Sequence, residues 1–392
     1  MCLEGLKRMD LPYSDELNIG ALSRLFDKTS NCYKFFWFLA ILRKNNGSMT
    51  RFSFDELVNE MIADAWYMVT ECNLHLGPVG VKDNLEEAVR YIHDKYKFMS
   101  SEKREKILKF LKNSQDPEIN KYKQLLILNV PYRLQVPFYD EISVERNLWY
   151  KDMQALCDQI NEQRHLIYYF LGFSGLSTCI EISDKWAGYL YRHRKILKAW
   201  MQLKLILYLQ KRNPSVPGIA EKLEKPAARD IARVSKYWKM VIQLDPTLKD
   251  IYGHVDLVGE SISIDHFVPW QYVAHDELWN LHPTTRSINS SKGNYLPVWE
   301  EYFDPLSALE YKAYMLKAES EKVAKEFEQV AQYHLNNQTI RSELFYADGL
   351  DEDEFRIRLG NVLRPVYDAA RMQGFKEWRY EGEEIIKHIY NL

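Results

Sequence analysis

Asp265 and His266 stand side by side at the end of a β-branched run, Ile262-Ser-Ile264, that Pro269 stops three residues later. Asn280 follows 14 residues after His266 and Asn289 follows 23 after it, with Lys292 closing the pattern. A carboxylate oxygen on Asp265 and an amide carbonyl on Asn289 are the donors that a hard cation such as Mg²⁺ or Mn²⁺ takes. An imidazole with an ordinary pKa near ~6.5 accepts a proton at neutral pH, which suits His266 to general-base work. Carboxylate, amide and imidazole together therefore read as a site that activates water beside a cation. His275 reads as a loop residue before Asp276 and Glu277, and His282 as a packed or hydrogen-bonded histidine on a strand.

Those side chains need elements to hold them. The β-branched run predicts a first strand, a second short strand is expected from about Trp279 to Thr284, and a helix starts around Asn289. Strand, strand and helix within about 35 residues resemble the HNH nuclease motif, the ββα-metal finger. The Asp-His-x-Val-Pro sequence, the two asparagine intervals and the Asn-x-x-Lys ending are similar to the HNH domain of the RNA-guided CRISPR nucleases. This resemblance implies a metal-dependent phosphodiester hydrolase in which Asp265 and Asn289 hold the metal and His266 activates water. It also implies that Asn280 orients the loop carrying the histidine. Lys292 and Arg286 are assigned to substrate phosphate. Neighbouring residues on a strand face opposite ways, so Asp265 and His266 reach one site only if the strand ends or distorts there. The resemblance covers residues 252–297.

The rest of the chain constrains what surrounds that motif. Its 392 residues include 26 Tyr, 17 Phe and 10 Trp against only 16 Gly and 14 Pro. So many aromatics with so few breakers exclude extended disorder and collagen-like repeats. Five scattered cysteines without a CxxC pair argue against a disulfide framework and a structural zinc, and for free thiols in a reducing cytoplasm. No signal-peptide pattern or spanning apolar segment is legible, so no membrane association is expected.

The expected architecture is α+β and mainly helical. Residues 1–212 read as a helical recognition or regulatory region with one small hairpin, His165–Leu171 and Thr178–Ile182. Ser53 and Glu56 form a capping-box pattern ahead of a helix, and 129–139, with two prolines, reads as extended or turning. A linker is predicted at 213–226, rich in proline and glycine. The nuclease domain with its flanking helices follows at 227–340, and a helical segment at 341–392.

The net charge is −3 from 52 basic and 55 acidic residues, and it is unevenly spread. Residues 185–212, read as part of one long helix from about 184 to 212, hold eight bases and no acid, among them Arg192, Arg194 and Lys195. Trp186, Tyr189, Tyr191, Trp200 and Tyr208 are interleaved. One reading is a phosphate-tracking face with aromatic platforms; the other is an amphipathic helix whose aromatics form core.

The function expected is a DNA endonuclease using Mg²⁺ or Mn²⁺, in bacterial anti-phage defence or restriction. The helical half would receive a partner or activator, and a homodimer would bring two single-site fingers to a duplex. An RNA-cutting toxin and an inactive nucleic-acid-binding protein are the alternatives.

Overall fold

Ser53 starts the helix that organises the N-terminal part of the chain. Its Oγ accepts a hydrogen bond from the Glu56 amide at 3.2 Å, and the Glu56 carboxylate accepts one from the Ser53 amide at 2.9 Å. That capping box satisfies two amides that helix Phe54–Thr70 would otherwise leave bare. The computed structural model describes residues 10–78, 80–139, 151–163, 165–225, 231–257 and 261–382. The fold is α+β and mainly helical. Two units are distinguished, Met1–Pro214 and Ser215–Leu392.

In the first unit, helix Tyr33–Lys44 is buried at every position from Phe35 to Leu42, as expected of a central helix apolar all round. It packs on Phe54–Thr70. A small antiparallel sheet has the order β1-β3-β2, with β1 at Arg51–Ser53, β2 at Tyr168–Leu171 and β3 at Cys179–Ile182. Gly172 and Gly175, both at positive φ, lie in the connection from β2 to β3. The sequence does not signal β1, because three residues carry no readable period.

Two local expectations fail here. Residues 129–139 are not extended: Val130–Arg133 is a helical turn and Val136–Phe138 a 3-10 turn. Pro131 and Pro137 occupy first-turn positions, where a missing N–H costs nothing. The long basic helix is two helices, Asp184–Arg192 and Arg194–Arg212, parted at His193 (φ −100°, ψ 12°).

In the second unit, Val216, Ile219 and Leu223 are buried, and Tyr272 donates its hydroxyl to the Ser215 carbonyl at 2.7 Å. Gly218 has φ +59°, and a Cβ there would meet the Ala274 Cβ at 2.6 Å, so only glycine fits. Residue 226, the last of the expected linker, lies outside the described residues. Strands β4 (Ile262–His266) and β5 (Leu281–Thr285) form an antiparallel pair. Helices Ala232–Leu244 and Arg286–Lys292 both contact this pair, and the Trp238 indole donates to the Leu281 carbonyl at 3.1 Å. Helices Trp299–Glu319, Glu321–His334 and Glu352–Met372 complete the unit. The C-terminal segment is not wholly helical: Glu377–Trp378 is strand β7, parallel to β6 at Leu296–Pro297. Residues 383–392 lie outside the described residues.

Candidate active site

Strand β4 stays in register through both key residues, with Asp265 opposite His282 and His266 opposite Leu281. The distortion expected from sequence is absent. Alternation therefore sends Ser263, Asp265, His282 and Thr284 to one face and Ile262, Ile264 and His266 to the other.

The Asp265 face is a buried polar network. Tyr252 donates its hydroxyl to Asp265 Oδ2 at 2.8 Å. The Lys292 ammonium lies 3.2 Å from Oδ1 and 3.1 Å from Oδ2, and donates to the His266 carbonyl at 2.7 Å. Next to them Thr284 donates to Asp250 Oδ1 at 2.7 Å, while the Tyr252 and Gly253 amides donate to Asp250 Oδ2. Burial alone would raise the Asp265 pKa, but Lys292, with His282 and Tyr252, outweighs it and holds the carboxyl below its usual range. Burial pushes His282 down to about 4, so it is neutral. Among the described residues neither of its ring nitrogens finds a hydrogen-bond partner, and Nε2 stands 3.7 Å from Asp265 Oδ2.

On the other face, His266 Nε2 is 2.8 Å from Asp276 Oδ1. The backbone around Asp276 is anchored in turn: His334 Nδ1 donates to the Asp276 carbonyl at 2.6 Å, and the Glu277 carboxylate accepts from the Asn336 amide and side chain. Asn280 bridges the loop. Its Oδ1 accepts from the Val268 amide at 2.7 Å and its Nδ2 donates to the Val268 carbonyl at 2.8 Å. Asn289 ties helix to strand through Nδ2, which donates to Ser263 Oγ at 2.8 Å and the Ile264 carbonyl at 3.0 Å. The Thr285 side chain caps that helix.

At the junction of β4 and helix Arg286–Lys292, Lys292 thus pairs with Asp265 while Asn289 bonds Ser263 and Ile264. The His266 side chain leaves on the opposite face, so the one shared site expected of Asp265 and His266 is not formed. Lys292 does not fit the substrate contact expected of it. It is fully buried and neutralises Asp265 instead of meeting a phosphate. Arg286 is exposed at the helix start. His275 is half-buried against Trp279, and burial lowers its pKa. Asp250, Tyr252, Thr284 and Asp276 carried no sequence signal as site residues. Period-two alternation along β5 could have pointed to Thr284 beside His282, while Asp276 required the folded loop.

The donor types, a carboxylate on Asp265 and an amide carbonyl on Asn289, are those a hard divalent cation takes, while both Asp265 oxygens are already engaged by Lys292 and Tyr252. Asp265 supplies an ionised carboxylate, and Asn289, its nitrogen committed to the strand, offers its carbonyl oxygen. The Lys292 ammonium already neutralises Asp265, so a cation binding here has to displace it or share the carboxylate with it. Among the described residues no group of three or more His, Cys, Asp or Glu could hold a metal.

In the first unit, Arg192, Arg194 and Lys195 are exposed. Trp186, Tyr189, Trp200 and Tyr208 are buried, so the aromatics are core and not platforms. Tyr191 is the exception, exposed and covered by the Arg194 guanidinium 4.8 Å from its ring centre. Among the described residues no helix is long and apolar enough to cross a membrane.

No curated protein and no solved structure matches the chain. No family model matches the N-terminal half. A family model described as HNH endonuclease matches residues 249–298, the segment that contains β4, β5 and helix Arg286–Lys292, so this segment is similar to HNH nucleases.

Proposed function

We propose that this chain is a metal-dependent endonuclease that hydrolyses DNA phosphodiester bonds, with Asp265 and Asn289 as metal ligands and His266 as general base. What supports the reading is the match of residues 249–298 to the HNH endonuclease model over the β4–β5–helix arrangement. Asp265 and His266 leave β4 on opposite faces, so bringing both to one metal requires the strand end to turn. When bound there, Mg²⁺ or Mn²⁺ supplies Lewis acidity and charge neutralisation at the phosphate. His266 takes the proton from the attacking water. Asn280 holds the backbone at Val268, and so the strand end that presents His266. The exposed Arg192, Arg194 and Lys195 give the first unit a basic surface for the nucleic-acid backbone. We assign the first unit to partner or activator docking, and the chain to cytoplasmic anti-phage defence or restriction, by analogy of layout. Two copies would deliver a double-strand cut.

The test is cleavage of plasmid, linear duplex, single-stranded DNA and RNA with Mg²⁺ or Mn²⁺, beside His266→Ala and Asn289→Ala. His266→Ala is expected to lose about 100-fold or more in rate. Equal nicking by wild type and His266→Ala overturns the assignment. Cleavage of RNA alone replaces DNA as the substrate, and binding without cleavage makes the chain a nucleic-acid-binding protein.

A further inference from the structure

The His266 ring has a second nitrogen to satisfy, and its partner lies outside the motif that drew attention to the histidine. Asp276 Oδ1 is 2.8 Å from His266 Nε2. With the carboxylate as acceptor, the proton between them is on Nε2 and the ring's lone pair on Nδ1. Asp276 reaches this position because its segment is clamped from the far side. Its own carbonyl accepts from His334, and Glu277 holds the amide and side chain of Asn336. The end of helix Glu321–His334 and Asn336 beyond it thus fix the loop whose Asp276 carboxylate meets the imidazole.

Building on the nuclease reading, we propose that Asp276 is the positioning residue of the general base: it fixes the His266 ring and its tautomer so that Nδ1 receives the proton of the attacking water. The arrangement follows the general logic by which a carboxylate orients an imidazole and stabilises the imidazolium formed during reaction. Asp276 touches no reacting atom. It acts through His266.

The clamp uses the backbone of residue 276 and the side chain of Glu277, so replacing the Asp276 side chain leaves the loop tethered. Asp276→Ala is expected to lower kcat roughly 10- to 100-fold with KM and melting temperature unchanged. Asp276→Asn, which keeps an acceptor oxygen, should retain more activity than Asp276→Ala. In a His266→Ala background, Asp276→Ala should add no further loss. Wild-type kcat in Asp276→Ala, or an equal further loss without His266, overturns the proposal.

A second readout does not depend on turnover. In full-length protein labelled with ¹⁵N-histidine, with His266 assigned by comparison with His266→Ala, its resonances should report the Nε2–H tautomer and move in Asp276→Ala. An Nδ1–H tautomer in the wild type, or resonances indifferent to Asp276, overturns the positioning role. Failure to cut any nucleic acid while the tautomer behaves as stated overturns the nuclease reading alone.

Discussion

Two buried carboxylates, one in each unit, show how differently the chain treats charge. Asp64 in the first unit is 3% exposed, and Arg43 and Arg104 reach it with their own side chains 35% and 28% exposed. In the second unit Asp265 is 5% exposed, and its partner Lys292 is fully enclosed. Burial wins at Asp64 and raises its pKa despite two arginines; at Asp265 the charged and hydrogen-bonding partners win and lower it. An arginine at the rim keeps its water and leaves the carboxylate to bear the desolvation. A sealed ammonium has no other anion to satisfy it. The first arrangement is a structural brace. The second keeps an ionised carboxylate beside the helix that bears Asn289, with the enclosed ammonium as its counter-ion.

The largest expected break in this contrast is Lys292→Met. It strands a buried anion and should cost about 3–5 kcal/mol, read from denaturant unfolding, and Asp265→Asn in the same chain should recover part of it. Arg43→Met leaves Arg104 on Asp64 and should cost about 1 kcal/mol or less. Equal losses would erase the distinction.

Acid sharpens the comparison because the two units carry groups of opposite response. Burial lowers His282 from 6.5 to about 4, so its contribution is whole above pH 6.5 and is lost as pH falls toward 4. Burial raises Asp83 from 3.8 to about 6, so its contribution is whole below pH 3.8 and is lost as pH rises through 6. Each is of the order of 3 kcal/mol. Hydrogen exchange at pH 5 and 7.5 should show the second unit weakened by acid. His282→Phe should flatten that dependence, and Asp83→Asn, which keeps the helix cap, should stabilise the first unit at pH 7.5. The smallest effect concerns outward charge. Replacing Arg192, Arg194 and Lys195 together by Ser should reduce the log–log salt slope of DNA binding by up to about 3, with folding unchanged. An unchanged slope would take this surface off the nucleic acid.

How much of this the sequence discloses depends on the distance between partners. The Ser53–Glu56 cap, the glycine-bearing hairpin connection and the β4–β5–helix order are encoded within a few residues or by a fixed period, and all are legible. The motif intervals likewise mark Asp265, His266, Asn280 and Asn289. Tyr252, Asp250 and Asp276 are not legible as site residues, because their meaning arises only when β4, β5 and the loop are brought together. Lys292 reads as a phosphate contact because a sequence shows its charge and not its burial. The break at His193 has no proline or glycine to announce it. The prolines at 131 and 137 mislead because their first-turn placement is invisible before the turns exist.

The bridge from Asn280 to Val268 explains why the motif spells asparagine at that letter. The side chain presents one acceptor and one donor, spaced to meet the amide and the carbonyl of a single residue. It completes the rung that a neighbouring peptide group would have made. Aspartate could accept from the Val268 amide but would set oxygen against its carbonyl. Glutamine would overshoot by a methylene, and serine could not serve both partners at once. The 12 positions from Val268 to Asn280 are thus the perimeter of a ring closed by an imitation of backbone.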